Sequence, residues 1–446
     1  MSTPRPSISI AAAELPKIAY GRGSRLWDTS GKSYLDGSGG PAVYCLGHAH
    51  PEVNAALVRQ LEQVAHGYRY TFTSDPLEQL TALVSEACGG NLKHMIFVSG
   101  GSEAVESALK LALQYQTAVG QPSRRHFIAR RRSWHGNTLG AMSVSGFEER
   151  RAPFEGALLD TTLLSPVNAY RPMAGASAET VAEAGAAELE AAIRARGEER
   201  VAAFIFEPIV GAAGGAVPAP PGYARRIREV CDRYGVLMIA DEVMCGSGRS
   251  GNWRTLEHDG VEPDIMTVAK GLGGGYVPLG AAIYTSRIHE ALSAAHGGPL
   301  TGHTFTGHTL ACAAGVAVQS IVKRDGLVER VRTAGERFQN SLRGALGNLE
   351  PVGDVRGRGF FVGVEFVADR ATKEPFLAEH QLYLRVRRNA LERGLICYPS
   401  GGNVDGVRGD TAILAPPYNA TDAELQEIVD LFTLAVRDSL AEVGAL

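Results

Sequence analysis

The stretch "PDIMTVAKGLGGGY", Pro263 to Tyr276, decides how this chain is read. An apolar run of strand character, Ile265 to Val268, leads to a single amine, Lys270, and glycines follow almost without interruption. A buried strand that ends on a lysine and then sheds its side chains leaves room beside that lysine. In an open parallel sheet the crevice outside the carboxyl ends of the strands is where ligands bind. An amine held there in low dielectric has its pKa lowered and becomes nucleophilic toward a carbonyl. Taken alone, Lys270 also fits an exposed loop lysine, so its company decides.

Working outward, the same pattern recurs. "VLMIADEV" carries five apolar residues, Val236 to Ala240, into Asp241, and "AAFIFEPIVG" carries another strand into Glu207. A carboxylate at such a place needs a cationic partner; on its own Asp241 fits a strand-end salt bridge or helix cap as well. "FVSGGSEAVESALKLA" sets Gly100, Gly101 and Ser102 directly before a strongly helical run. Backbone amides at a helix N-terminus hold phosphate, though Ser102 is also an ordinary N-cap type. "RRRSWHGNTLG" places Trp134 and His135 ahead of a glycine, with core packing as the plain alternative.

Apolar strands alternate with helical patterns from about residue 70 to 323, which predicts an α/β domain with a parallel sheet covered on both faces. The N-terminal "SRLWDTSGKSYLDGSGG" alternates like a hairpin turning at Ser30 to Lys32. From about residue 324, helices mix with "GRGFFVGVEFV" and "AILAPPY" and end on a long helix. The expected division is residues 1–69 and 324–446 in a smaller α+β domain built from both chain ends, and 70–323 in the large one.

Composition sets limits. The chain has 446 residues, 45% hydrophobic and 21% charged, with a formal net charge of -4. A sequence pI near 6.3 gives no electrostatic footprint for nucleic acid or an anionic membrane. The N-terminal "MSTPRPSISIAAAELPKIAYGRGS" is broken by proline, glutamate and lysine and builds no signal h-region. With no apolar run near the roughly 18 residues of a membrane span, a cytoplasmic protein is expected. The six cysteines are scattered without a C-x-x-C pair and read as reduced, buried thiols.

Two decoys fall away. "SGKS" at Ser30 lacks the glycine a P-loop needs at position 26, where Leu26 stands. "KGLGGGYVPLG" does not open a helix as a dinucleotide fingerprint must. His48 and His50 in "GHAHP" lack further ligands, so no metal site is expected.

Amine, acid, phosphate cradle and aromatic plate match four faces of one cofactor. Pyridoxal 5'-phosphate needs a lysine for its aldehyde, a carboxylate for its ring nitrogen, an anion site and a flat partner for its ring. The segments "FIFEPIVGAAGG", "GVLMIADEVMCGSGRSG", "PDIMTVAKGLGGGYVPLGA" and "TFTGHTLACAAG" closely resemble, in order, motifs of the class III aminotransferases. That resemblance runs from about Gly21 to about Asp430. It implies fold type I: α/β, with a large, mainly parallel seven-stranded sheet domain beside a smaller α+β domain. It also implies a homodimer with active sites at the subunit interface.

By position, the resemblance makes Lys270 the cofactor-bearing lysine and Asp241 the partner of the ring nitrogen. Val243 and Trp134 flank the ring with His135 beside them, and Gly101 and Ser102 hold the phosphate. Glu207 stands near the cofactor, and Thr304 reaches the phosphate from the partner subunit. For substrate, the expected residues are Ala42 and Tyr44, near where ω-amino acid:pyruvate enzymes often carry a tryptophan, and Arg408, about two residues closer to Pro416 than in those enzymes. Glu207 is expected to hold Arg408 when no acid is bound.

The activity implied is transfer of an amino group from an amine or ω-amino acid to a 2-oxo acid such as pyruvate, with ping-pong kinetics. Alternatives on the same fold are an aminomutase of the glutamate-1-semialdehyde type and a decarboxylating relative. A non-catalytic regulatory protein binding the same cofactor is the more distant alternative.

Overall fold

The computed structural model describes residues 15–446. The reading of the N-terminus as no signal sequence therefore lies, for residues 1–14, outside the described residues. At the centre is a seven-stranded sheet made of β1 (Leu92–Val98), β2 (His126–Arg130), β3 (Thr161–Leu164), β4 (Val201–Phe206), β5 (Leu237–Asp241), β6 (Ile265–Val268) and β7 (Gly280–Thr285). Its order is β1-β7-β6-β5-β4-β2-β3. Neighbours are parallel except that β7 runs antiparallel to both β6 and β1.

Burial on both faces explains the unbroken apolar runs. In β5, Leu237 and Ile239 pack with Ala104 and Val105 of the helix Gly101–Ala118. Met238 and Ala240 point the other way, onto Tyr223 and Ile227 of the helix Tyr223–Tyr234. Successive strand side chains alternate faces, so a strand covered on both sides needs apolar residues at every position. At the end of β5 this demand stops, and Asp241 emerges beside Thr267 of β6.

Both chain ends build the smaller sheets. The hairpin strands Ile18–Arg22, Arg25–Asp28 and Ser33–Asp36 are joined by a fourth strand, Leu395–Ile396, which pairs in parallel with Leu35 and Asp36. Ser30 and Gly31 lie in the hairpin turn, where the Asp28 carboxylate accepts the amides of Ser30 and Lys32. An antiparallel sheet of Val352–Arg358, Phe361–Phe366, Asp410–Leu414 and Tyr398–Gly401 lies further along the chain. The last helix, Asp422–Ala441, starts on a capping box of Thr421 and Glu424.

One buried cation joins these parts. Arg249 of "GSGRSG" is fully buried. It has no carboxylate partner among the described residues, and its guanidinium donates to the carbonyls of Tyr44, Phe360 and Pro416 while lying 4.6 Å from the Tyr418 ring centroid. Arg249→Met keeps apolar bulk but leaves two buried carbonyls and one part-buried carbonyl without this donor, each buried one costing about 1 kcal/mol or more. We expect a loss of roughly 2–4 kcal/mol in urea unfolding; a loss under about 0.5 kcal/mol would mean that water replaces the guanidinium without penalty.

Candidate active site

The carboxyl ends of β1, β4, β5 and β6 converge on a cavity of about 550 Å³. Its walls include Gly101, Ser102, Trp134, His135, Glu207, Asp241, Val243 and Lys270, which brings eight of the expected residues to one place. Lys270 follows β6 by two residues and opens a single short turn, Lys270–Leu272, before the glycines. Its φ of 45° lies in the left-handed region that a side chain with a Cβ enters at a cost of about 1 kcal/mol or more. The amine makes no hydrogen bond to any described residue. Burial lowers its pKa from the usual lysine value, against the opposing pull of Asp241 and Glu207.

Asp241 is held from three sides. Its Oδ1 accepts from the Val243 amide and the Thr267 hydroxyl, both at 3.0 Å, and its Oδ2 lies 2.7 Å from His135 Nδ1. With the carboxylate ionised, Nδ1 must carry the proton donated to it. The His135 side chain is wholly buried, and its Nε2 has no partner among the described residues.

Glu207 is also buried, and burial pushes its pKa up to about 7, with Asp241 adding to the rise and His135 opposing it. Its two oxygens accept the amides of Trp134 and Gly211, each at 2.8 Å. Glu207 thereby fixes the backbone of the aromatic plate.

On the phosphate side, Gly100 caps the helix Gly101–Ala118. A Cβ on Gly101 would stand 2.9 Å from Val243 Cγ1, so a side chain there would crowd the ring site. Gly136, at φ 142°, lies where a Cβ would meet Ser102 Oγ at 2.7 Å. These residues fit pyridoxal phosphate: an uncommitted buried amine, a fixed carboxylate, a helix N-terminus stripped of side chains, and Trp134 and Val243 on the cavity wall.

Four expected residues are not brought to the cavity within one chain. Ala42, at φ 62°, turns into a cluster with Ile209, Cys245 and Phe361, and its neighbours Pro41 and Val43 line the cavity instead. Tyr44 packs edge-on against His48 at 4.4 Å. Thr304 is exposed. Arg408 is a correction: its guanidinium pairs with Asp405 at 2.8 Å and Glu374 at 2.7 Å on the surface, so the expected pair with Glu207 is not formed. The acid three residues upstream reaches Arg408 first, and Glu207 is already occupied by two amides.

Other cavity residues carried no sequence signal. Tyr276 closes the glycine stretch, its hydroxyl accepting the His50 amide and donating to the Gly47 carbonyl. Tyr398 and Met244 also line the wall. Arg150, on the short helix Glu148–Arg151, holds its guanidinium carbon 4.8 Å from the Trp134 ring and 4.5 Å from the Phe147 ring.

Fold and site together define a pyridoxal-phosphate-dependent enzyme of fold type I. Residues 11–436 match the family model for aminotransferase class-III. The chain is 39% identical to an uncharacterized aminotransferase, YodT, of Bacillus subtilis (strain 168), over 97% of this chain and 96% of that one. Among solved structures it is similar to an (S)-enantioselective omega-transaminase from Thermomicrobium roseum, with TM-score 0.89, 34% identity and coverage of 95% and 93% of the two chains. It is equally similar in fold to an amine transaminase from an uncultivated Pseudomonas species in its PLP-bound form, with TM-score 0.89, 32% identity and coverage of 98% of each. The chain belongs to the class III aminotransferases, which depend on pyridoxal phosphate.

Proposed function

We propose that this aminotransferase moves an amino group from an amine or ω-amino acid to a 2-oxo acid such as pyruvate, the carbonyl product of the donor leaving before the 2-oxo acid enters. The observation that carries this reading is a cavity with one uncommitted buried amine, Lys270, and a carboxylate, Asp241, that is fixed by three hydrogen bonds and keeps an acceptor site on Oδ2. Donor and acceptor must then use the same amine in turn, which is the basis of ping-pong kinetics.

When bound, the cofactor supplies an electron sink for the substrate carbon. Lys270 would hold the cofactor's aldehyde and, when not attached to it, would move a proton at the substrate carbon; its lowered pKa favours the neutral base. Asp241, clamped by Val243, Thr267 and His135, would favour a protonated ring nitrogen. Glu207 holds the Trp134 backbone in place through the Trp134 amide.

We further propose a cytoplasmic homodimer in which the partner's copy of Thr304 completes the phosphate site. Phe305, the residue after Thr304, is exposed, as are Val58, Leu61, Tyr70 and Phe72, and exposed large apolar side chains of this kind support a second copy packing against this chain. All six cysteines are unpaired and buried, in keeping with a reducing compartment.

The test is a donor and acceptor panel followed by the visible absorbance of the bound cofactor. A donor alone is expected to bleach it once, pyruvate to restore it, and double-reciprocal plots to run parallel. Return of colour without any added acceptor would point to an aminomutase, and carbon dioxide release to a decarboxylating relative.

A further inference from the structure

At the edge of the cavity stands an exposed cation that nothing described so far uses. Arg150 lines the same wall as Lys270 and Trp134. Among the described residues its guanidinium has no ion pair and no side-chain hydrogen bond, although acids stand beside it in the chain. Glu148 is taken by Arg131 and Arg132, and Glu149 by Arg132, which also donates to the Gly402 carbonyl. The two carboxylates inside the cavity are likewise committed, Asp241 to Val243, Thr267 and His135, and Glu207 to Trp134 and Gly211.

What does hold Arg150 is aromatic. The rings of Trp134 and Phe147 meet nearly edge to face, 5.9 Å apart at 82°, and the guanidinium lies against both. Cation–π contacts fix a guanidinium through its face and leave its planar fork of N–H donors free. A fork of that kind matches a carboxylate through two parallel hydrogen bonds. The short helix that carries it is anchored by the Arg132–Glu149 pair, and the two ring contacts hold the guanidinium on the cavity side.

We infer that Arg150 recognises the substrate carboxylate, the group shared by 2-oxo acid acceptors and ω-amino acid donors and absent from simple amines. This inference rests on the transaminase reading of the cavity and deepens it. Arg150, rather than the surface-paired Arg408, sets the preference of the site for carboxylate-bearing substrates.

The experiment compares wild-type holoenzyme with Arg150→Leu and Arg150→Lys. Propionate has the carboxylate and no reacting carbonyl, so its affinity, read from the visible absorbance of the bound cofactor and from thermal shift, reports recognition without turnover. Arg150→Leu is expected to weaken it roughly 10- to 100-fold, and Arg150→Lys, which keeps the charge without the fork, less. In turnover, the ratio of kcat/KM for pyruvate to that for 1-phenylethylamine should fall at least about 10-fold, through KM for pyruvate.

Propionate affinity within about 2-fold of wild type in Arg150→Leu, or equal losses for both substrates, would overturn the inference, the latter because a residue acting only through Trp134 damages both half-reactions alike. If wild type binds propionate through Arg150 but no donor and acceptor pair turns over, the transaminase reading fails and the carboxylate site stands. If turnover occurs and the leucine variant does not discriminate, the carboxylate site fails alone.

Discussion

Lys270→Ala is expected to abolish transamination and to leave the cofactor without a covalent attachment. The substitution removes both the group that holds the cofactor's aldehyde and the base that moves the proton. General acid–base catalysis alone contributes about 10²–10⁴-fold, so a loss of at least that size follows. No other amine replaces it, because Lys270 is the one lysine on the cavity wall among the described residues. The fold should survive, since the Lys270 side chain makes no hydrogen bond to any described residue and alanine meets the same left-handed φ. Borohydride reduction of wild type followed by peptide mapping checks the attachment directly. Label on a different lysine would overturn the assignment.

Asp241→Asn is expected to lower the rate by several orders of magnitude, corresponding to about 4 kcal/mol or more of transition-state stabilisation. The geometry says why a nearly isosteric change costs so much. The amide oxygen can still accept from Thr267 and Val243, but the amide nitrogen is a donor and would meet His135 Nδ1, which donates in the native pair. His135 must then shift its proton to Nε2, and a neutral neighbour no longer favours a protonated ring nitrogen. Thermal stability and cofactor content should stay close to wild type while kcat falls. A variant within a few-fold of wild type in kcat would make Asp241 a strand-end structural acid.

The strand ends were the legible part of this site. Lys270, Asp241, Glu207 and the glycines before Ser102 each follow an apolar run, and a covered parallel sheet places such residues at one crevice whatever the loops do. The direction of β7 was not legible, because "GAAIYT" is apolar throughout and reads the same for either orientation. Ala42 and Tyr44, expected by their position after the first hairpin, do not reach the cavity within one chain for a local reason. A left-handed φ at Ala42 breaks the alternation of faces and hands the cavity to Pro41 and Val43. For Arg408, chain distance to Pro416 carried no information about Asp405 and Glu374, which take its guanidinium. Arg150 lay hidden in the run "EERR". Only the pairing of Glu148 and Glu149 with Arg131 and Arg132 leaves it the member facing the aromatic rings.

The parallel pairing of Leu395 and Ile396 with Leu35 and Asp36 bears on the order in which the protein is made. A chain emerging from the ribosome presents its N-terminal hairpin first, but the fourth strand of that sheet arrives only after some 360 further residues have been added. Contacts this distant along the chain form late and slow folding. During synthesis the edge of Ser33–Asp36 remains an open row of hydrogen-bonding groups, the kind of surface on which incomplete chains associate. A polypeptide terminated before Leu395 is therefore expected to be recovered in aggregates even though every residue of the seven-stranded sheet is present.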